Sequence, residues 1–600
     1  MTNLRRATAL LTPSERVQGL RVLCLVALMA VFESAGVVAI MPFLAVLADP
    51  AMIESNRLLA ALHAAAGAPP TQTFLLWLGL GAMGFIIVGA LVRTITEFTL
   101  NRFIQLRVHS FGSRLLESYL RQPYSFFVSR HSGDLQRAIL SEAEKVVTNV
   151  YWPSMMMISN GTILLALVIV LIAVDPLVAL GAAAVLGGAY AVVYTVVRGH
   201  LRRIGADGVV QNQKRFQAAS EALGGIKGIR LAGAERHYLA RFTEPSEALA
   251  RRMSASNTIS HVPKYAIEAI GFAGVLGIAL LMLTRHGGNA ATMGEVLPLI
   301  GLYAFAGYRL LPAVQAIYRG FTMLRFGDAG LESIAADLAL AEGGRELPRR
   351  RAEPMPLRDA VALESVDFTY PGSDGVGLHG VSLRIPAGAR VGIVGRTGAG
   401  KTTLVDMLLG LLEPRSGRLL VDGAPITAET LRAWQRSIGY VPQDIYLRDG
   451  TVAENIAFAT PTDSIDPARV EASARLARLH DFVTQELPSG YQTQVGERGV
   501  RLSGGQRQRI GIARALYHDP ELLVFDEATS ALDNQTEREV MDAISTLGGG
   551  KTILMIAHRL STVQNCDMIV VMDHGRVAAT GTYESLLAES PHFREIATAA

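Results

Sequence analysis

Six stretches of about 20 or more largely apolar residues crowd into roughly the first 325 positions, and they constrain this chain more than anything else in it. They are Leu20–Leu47, Phe74–Phe98, Tyr151–Val174, Leu177–Val197, Pro263–Thr284 and Val296–Ile317. Each is long enough to cross the hydrocarbon core of a bilayer. A helix is the expected form, because it satisfies its own backbone polar groups where no water is present. The first stretch is too long for the apolar core of a signal peptide, lacks a clear small-x-small cleavage site and is followed by further spans. Basic residues then set the orientation. Arg5, Arg6, Arg16 and Arg21 precede the first span. Arg102, Arg107, Arg114, Arg121, Arg130, Arg137 and Lys145 lie between the second and third. Arg198, Arg202, Arg203, Lys214, Arg215, Lys227 and Arg230 lie between the fourth and fifth. On the other side, "VDP" (Val174–Pro176) carries no base and "TRHGGNAAT" carries one arginine. The positive-inside rule places both termini in the cytoplasm, so the expectation is a multi-pass protein of the cytoplasmic membrane.

The long basic segments read as helices that continue beyond the bilayer. Two breaks interrupt them, "RQPYSFFVSRHSGDL" (Arg121–Leu135) and "EALGGIKGIRLAGAERHYLARF" (Glu221–Phe242). Each reads either as a turn or as a short helix that contacts another domain. Apolar character ends at the Pro/Arg-rich stretch "EGGRELPRRRAEPMPLRD" (Glu342–Asp359), the clearest linker. The reading is a membrane domain over 1–335, a linker over 336–358 and a second domain over 359–600. A net charge of +3 gives no electrostatic case for nucleic acid. The two cysteines, Cys24 and Cys566, imply neither a disulfide framework nor a metal site.

The second domain carries chemistry. In "RVGIVGRTGAGKTTLVDMLLGLL" an apolar strand runs into Gly395-Arg396-Thr397-Gly398-Ala399-Gly400-Lys401-Thr402-Thr403, and a helical pattern follows. This is a phosphate-binding loop between a strand and a helix, the signature of an α/β P-loop NTPase. Glycines let the backbone wrap a phosphate, Lys401 reaches the β/γ-phosphates of ATP, and Thr402 offers a hydroxyl to Mg²⁺. In "ELLVFDEATSALD" a second apolar strand ends in two acids. Asp526 is placed to hold the Mg²⁺ shell, and Glu527 to orient or deprotonate the attacking water. The plainer reading is an Asp-Glu pair opening a polar turn. Between them, "VRLSGGQRQRIGIARAL" offers Ser503, Gly504 and Gly505 at a helix start, a second anion-binding geometry. One triphosphate needs one cradle, so the second is most simply explained by a nucleotide held on another copy of the chain.

The soluble half resembles the nucleotide-binding domain of ABC transporters. Leu502–Gln506, "LSGGQ", matches the signature of that family letter for letter, and it lies between the P-loop and the "LLVFDE" strand as the family requires. The resemblance implies further roles. Tyr370 in "VDFTYPG" would stack on adenine. Gln443 in "GYVPQD" would sense Mg²⁺ and the membrane domain. Asp533 in "SALD" would lie at the dimer seam, and His558 in "MIAHRLST" would contact the γ-phosphate. Six spans before one such domain resemble an exporter half-transporter: an all-α six-helix membrane domain followed by an α/β P-loop NTPase of ABC type. The two cytoplasmic breaks then correspond to coupling helices. Intact Glu527, His558 and signature favour a homodimer with two active sites.

The cargo must be read from the membrane half. Glu33 lies midway along the first span, Arg93 in the inner part of the second, Arg309 midway along the sixth, and Arg285 at the outer end of the fifth. Ionisable residues in spans face the bundle interior or a wet cavity. One reading is an internal pair of Glu33 with Arg309 or Arg93. The other is that one glutamate cannot neutralise three arginines, leaving a basic cavity for an anionic substrate, whose phosphate oxygens suit guanidinium forks. "FESAGVVAIMPFLAVL", "GIKGIRLAGAERHYLARF" and "AFAGYRLLPAVQAIYRGFTMLRF" resemble the PglK-type flippases of lipid-linked oligosaccharides. That resemblance implies a polyprenyl-diphosphate-linked sugar as cargo, with Arg309, Arg93 and Arg285 on the diphosphate. Lipid, drug and peptide exporters share the layout, and paired arginines in an apolar cavity favour the first two. No peptidase-like domain precedes the first span, which weighs against one class of peptide exporter.

Overall fold

The structure, a computed structural model of the 600-residue chain, describes residues 2–130, 132–174, 210–285, 290–324, 328–340, 352–371, 377–496, 502–526, 550–557 and 563–599, with isolated positions between these segments. Side chains between 256 and 300 are mostly outside that description. The chain divides into two compact units. One holds Met1–Leu120 and Gly133–Gly343; the other holds Arg121–Ser132 and Gly344–Ala600. The first of the two breaks therefore belongs with the second unit.

The first unit is helical. A short helix, α1 (Thr2–Leu10), precedes α2 (Pro13–Ala48), which begins in a capping box: the Thr12 hydroxyl accepts from the Glu15 N–H, and the Glu15 carboxylate accepts from the Thr12 N–H. Two small helices, α3 (Met52–Ser55) and α4 (Arg57–Ala65), lead into the 50-residue α5 (Thr71–Leu120). Next come α6 (Tyr124–Val128), which is part of the second unit, and α7 (Ser132–Arg137). Two π-helical turns, Ala138–Glu142 and Val147–Tyr151, carry the chain into α8 (Trp152–Val174). After α9 (Ile226–Ala232) come α10 (Glu235–Arg285), α11 (Ala290–Leu324) and α12 (Asp328–Ala339). Five of the six expected spans lie in α2, α5, α8, α10 and α11. The fourth, Leu177–Val197, lies outside the described residues.

Both breaks contain the short helices the sequence allowed, α6 and α9. Gly233 ends α9 with φ +61°, the left-handed cap that glycine adopts without strain. The seam of the membrane helices joins Met29, Ala30 and Val37 of α2 to Ile163, Leu167 and Leu171 of α8 and Leu302, Ala306 and Leu310 of α11. Leu76, Ile87, Leu91 and Phe98 of α5 instead point outward, as lipid-facing side chains do.

The second unit contains two sheets. A four-stranded antiparallel sheet, in the order β2-β1-β4-β5, uses β1 (Ala360–Thr369), β2 (Gly377–Pro386), β4 (Ser416–Val421) and β5 (Ala424–Pro425). A six-stranded sheet has the order β10-β9-β3-β8-β7-β6, built from β3 (Arg390–Gly395), β6 (Ile438–Val441), β7 (Leu522–Asp526), β8 (Thr552–Ile556), β9 (Met568–Asp573) and β10 (Arg576–Gly581). Its neighbours are parallel except β10, which runs antiparallel to β9. Strands β7 and β8 are buried at every position, which explains their unbroken apolar runs: a parallel strand is covered on both faces. The P-loop helix α13 (Lys401–Leu408) follows β3. The remaining helices used below are α14 (Leu431–Arg436), α15 (Val452–Ile456), α16 (Pro467–Leu476), α17 (His480–Gln485) and α18 (Gly504–Leu516).

Candidate nucleotide and transport sites

The P-loop leaves β3 at Gly395, where an added Cβ would lie 2.4 Å from the Met572 carbonyl oxygen. Only a residue without a side chain fits there. Gly398 and Gly400 adopt φ +81° and +98°, conformations that L residues avoid. Arg396 and Ala399 close the intervening turn, the Ala399 N–H donating to the Arg396 carbonyl at 3.0 Å, and Thr397 lies inside it. A Cβ on Gly398 would meet nothing within 4 Å, so the loop encloses open space. Lys401 is 7% exposed, and its ammonium folds back to donate to the carbonyls of Gly395 (2.8 Å) and Arg396 (3.1 Å). Thr402 faces out at the first turn of α13. The Thr403 hydroxyl, on the buried side, lies 3.4 Å from the Tyr370 hydroxyl. The Tyr370 ring meets Phe368 edge-on, with centroids 4.9 Å apart.

Asp526 ends β7 and is 9% exposed, and its Oδ2 accepts from the Tyr440 hydroxyl at 3.2 Å. Strand register explains the meeting: Tyr440 on β6 pairs with Val524, two residues before Asp526. Burial, with Asp526 and Asp406 close by, pushes the Tyr440 phenol up. Gln443 follows β6 and is exposed. Ser503 caps α18 in a reciprocal box, its Oγ accepting from the Gln506 N–H (3.2 Å) and Gln506 Oε1 accepting from the Ser503 N–H (2.8 Å). Gly504 and Gly505 form the first turn of that helix. Glu527, Asp533 and His558 lie outside the described residues. The donor set that is described fits Mg²⁺-ATP: an open glycine cradle, an ammonium, a hydroxyl at a helix start and a carboxylate at a strand end. Mg²⁺, when bound, would supply positive charge that the phosphates and Asp526 share.

Three features of this unit escaped the sequence reading. Asp406 sits inside the apolar run of α13 and is 6% exposed. Burial, and then the nearby Asp526, push its carboxyl up to about 6. Tyr440 of β6 meets Asp526, and Tyr124 of α6 lies within electrostatic reach of Asp406, Tyr370 and Asp526. The one sequence signal was an acid four residues after Thr402, hence on the same face of the helix.

In the first unit, Glu33 of α2 is buried in the apolar seam, its side chain 2% exposed. Arg309 of α11 places Nη1 2.7 Å from Glu33 Oε2, and Arg93 of α5 places Nη1 3.5 Å from Glu33 Oε1. One carboxylate thus faces two guanidinium groups. Arg309 Nε is also buried without a hydrogen-bond partner among the described residues. Arg285 ends α10, and its side chain lies outside the description.

Residues 378–530 match the family described as "ABC transporter", and residues 23–306 match "ABC transporter transmembrane region". The chain belongs to the ABC transporter family. It is 32% identical over 515 residues to the "ATP-dependent lipid A-core flippase" of Cupriavidus pinatubonensis, covering 83% of this chain and 84% of that protein. It is 33% identical over 516 residues to the protein of the same name from Ralstonia nicotianae, covering 84% of each. A solved structure of a bacterial Atm1-family ABC exporter with ATP bound superposes with a TM-score of 0.72 at 26% identity, covering 96% of this chain and 98% of that one. This ABC transporter is therefore an exporter-type half-transporter, a multi-pass membrane protein whose soluble domain binds and hydrolyses ATP.

Proposed function

We propose that this chain works as a homodimer that flips a phosphate-bearing glycolipid, a lipid-linked oligosaccharide or a relative of it, across the cytoplasmic membrane by alternating access. Both termini and the ATPase lie in the cytoplasm. The observation that carries the cargo reading is the Glu33–Arg309–Arg93 cluster: among the described residues, two guanidinium groups on one carboxylate leave this cluster with one positive charge in excess. Placing an arginine at bilayer depth costs about 2.5–3.5 kcal/mol on insertion scales. Glu33 offsets that cost at rest, and a phosphate would offset the remainder during transport, reaching Arg309 through its unpartnered Nε. Arg285 would add to the same field. The flippase names of the relatives support an anionic lipid. The pairing itself is what a lipid or drug exporter would show, so substrate stimulation has to separate the readings.

In the ATPase cycle Lys401 would leave the Gly395 and Arg396 carbonyls for the β/γ-phosphates, and the backbone N–H groups from Arg396 to Thr403 would cradle them. Tyr370 would stack on the adenine. Thr402, Gln443 and Asp526 would hold Mg²⁺. Glu527 would orient water, with His558 at the γ-phosphate. Ser503, Gly504, Gly505 and Gln506 of one copy would close on the nucleotide of the other, with Asp533 at the seam.

The test is reconstitution in proteoliposomes with a panel of lipid-linked sugars, lipid A-type glycolipids, phospholipids and peptides. Phosphate-bearing glycolipids should stimulate ATPase and be flipped. Arg309→Gln should lose flipping while keeping basal ATPase. Flipping that survives this substitution, with ATPase unchanged, defeats the cargo reading. Glu527→Gln should bind ATP without turning over, and wild-type turnover in it would remove Glu527 as the base.

A further inference from the structure

A seam built of Met, Ala, Val, Ile and Leu side chains gains nothing from a carboxylate, yet Glu33 is held there with its side chain 2% exposed. Its contacts are uneven. Among the described residues Arg309 reaches it through Nη1 alone, which lies 2.7 Å from Oε2 and 3.0 Å from Oε1. A guanidinium binds a carboxylate or a phosphate most strongly through two nitrogens in parallel. That mode is not used here, and Arg309 Nε is left buried without a hydrogen-bond partner among the described residues. The guanidinium also lies over the Phe305 ring, 5.9 Å from its centroid, a contact that supports the cation without neutralising it. Arg93 approaches Glu33 Oε1 at 3.5 Å and is 43% exposed. Glu97 stands one turn further along α5, at the spacing where helical ion pairs form, but among the described residues Arg93 pairs with Glu33 instead.

Glu33 is thus an internal anion seated on the groups assigned to the phosphate of the cargo. We propose that Glu33 is a specificity-determining residue: it competes with the cargo for Arg309, so that only a headgroup of higher charge than a carboxylate displaces it. The inference rests on the reading that Arg309 binds the phosphate of the cargo. The membrane supplies the reason for such a filter. Glycerophospholipids crowd every leaflet, and their phosphates are diesters with a single negative charge. A diester brings Arg309 no more charge than Glu33 already gives, and its entry strands a buried carboxylate. A phosphomonoester carries about −1.5 to −2 at pH 7, and a diphosphate between lipid and sugar likewise exceeds a single charge. Such a headgroup gains on the exchange. It takes the unused Nε side of Arg309 and leaves Glu33 to Arg93, which is exposed enough to turn toward it. The substrate class narrows to lipids with phosphomonoester or diphosphate headgroups.

The test compares two lipids in the same protein, so a general loss of stability cancels. Full-length protein is reconstituted in phosphatidylcholine vesicles doped with lipid A, whose phosphates are monoesters, or with phosphatidylglycerol, a diester. The lipid density that half-stimulates ATPase is read for each. Wild type should need about tenfold more phosphatidylglycerol than lipid A, and Glu33→Gln should bring that ratio down to about twofold, the scale of one unit charge at intermediate dielectric after desolvation. Glu33→Gln with Arg93→Gln removes one charge of each sign and restores the net charge of the cluster. It should stay unselective, because the competing anion is gone, and it carries the test if the single variant does not fold. A return of the wild-type ratio in the double variant makes the effect one of net charge and overturns the proposal. Equal responses in wild type overturn it too. An unchanged ratio in Glu33→Gln, with lipid A stimulation lost in Arg309→Gln, overturns the proposal and leaves Arg309 as the phosphate ligand. Wild type that answers to neither lipid, or Arg309→Gln that still answers to lipid A, overturns the phosphate reading beneath it.

Discussion

Glu33 and Arg309 stand 276 residues apart in the chain, yet their side chains meet at 2.7 Å inside the membrane domain. The contact answers why an apolar helix keeps an arginine: its charge is matched from another helix. Arg93 approaches the same carboxylate at 3.5 Å and is 43% exposed, so it makes the weaker contact. Removing one partner of a buried pair leaves a charge uncompensated and costs about 3–5 kcal/mol, whereas replacing both is often neutral. Glu33→Leu should therefore lower the thermal midpoint in detergent sharply, and Glu33→Leu with Arg309→Leu should regain most of it. A double variant no better than the single one would show that the pair is not a unit.

The P-loop glycines rank by their surroundings. Gly395→Ala drives a Cβ against the Met572 carbonyl, a backbone atom that cannot turn aside. Gly398→Ala meets open space and suffers only from its positive φ. The first variant should lose nucleotide binding by more than tenfold and lose stability, and the second should be milder on both counts. Calorimetric ATP binding beside thermal unfolding checks the order.

Arg514 ties α18, the signature helix, to the chain after Gln443. Its Nε donates to the Asn455 carbonyl and its Nη1 to the Tyr446 carbonyl, both at 2.8 Å, while the guanidinium lies 4.5 Å from the Phe458 ring centroid. Burial lowers its pKa to about 10, which leaves it charged at neutral pH. A lysine cannot reproduce the fork or the stacking. Arg514→Lys should cost about 2 kcal/mol, from two charge-assisted bonds partly lost, and should slow ATP turnover. Wild-type stability in chemical unfolding would remove this clamp.

Cys566 lies buried between β8 and β9, and burial, followed by the neighbouring Asp567, pushes its thiol up to about 12 from 9.0. The folded state therefore favours the protonated thiol. That contribution to stability is fully present below pH 9.0 and is lost as pH rises toward 12. In a Cys24→Ser background, maleimide should label Cys566 at pH 8 only on unfolding, so labelling kinetics report opening of the ATPase domain. Rapid labelling of native protein would contradict the burial.

The sequence by itself determined the parts whose chemistry is local. The P-loop, the "LSGGQ" helix start and the "LLVFDE" strand were legible because loop, cap and strand each need particular residues at consecutive positions. Five of the spans fall within helices because length and apolarity alone select that form in lipid. Tertiary structure decided the partners. A span that is apolar on all sides carries no periodic signal for its rotation, so the sequence offered a pair of Glu33 with Arg309 or Arg93 as one reading, and only the packed helices show both arginines on that carboxylate. Asp406 is one acid in an apolar run of the sequence, and only the order of β3, β8, β7 and β6 brings it within electrostatic reach of Asp526 and Tyr440. The stretch Arg121–Ser132, continuous in sequence with the membrane helices, packs as part of the other unit. In each case the deciding quantity is proximity between residues distant in the chain, which helix and strand propensities do not encode and close packing does.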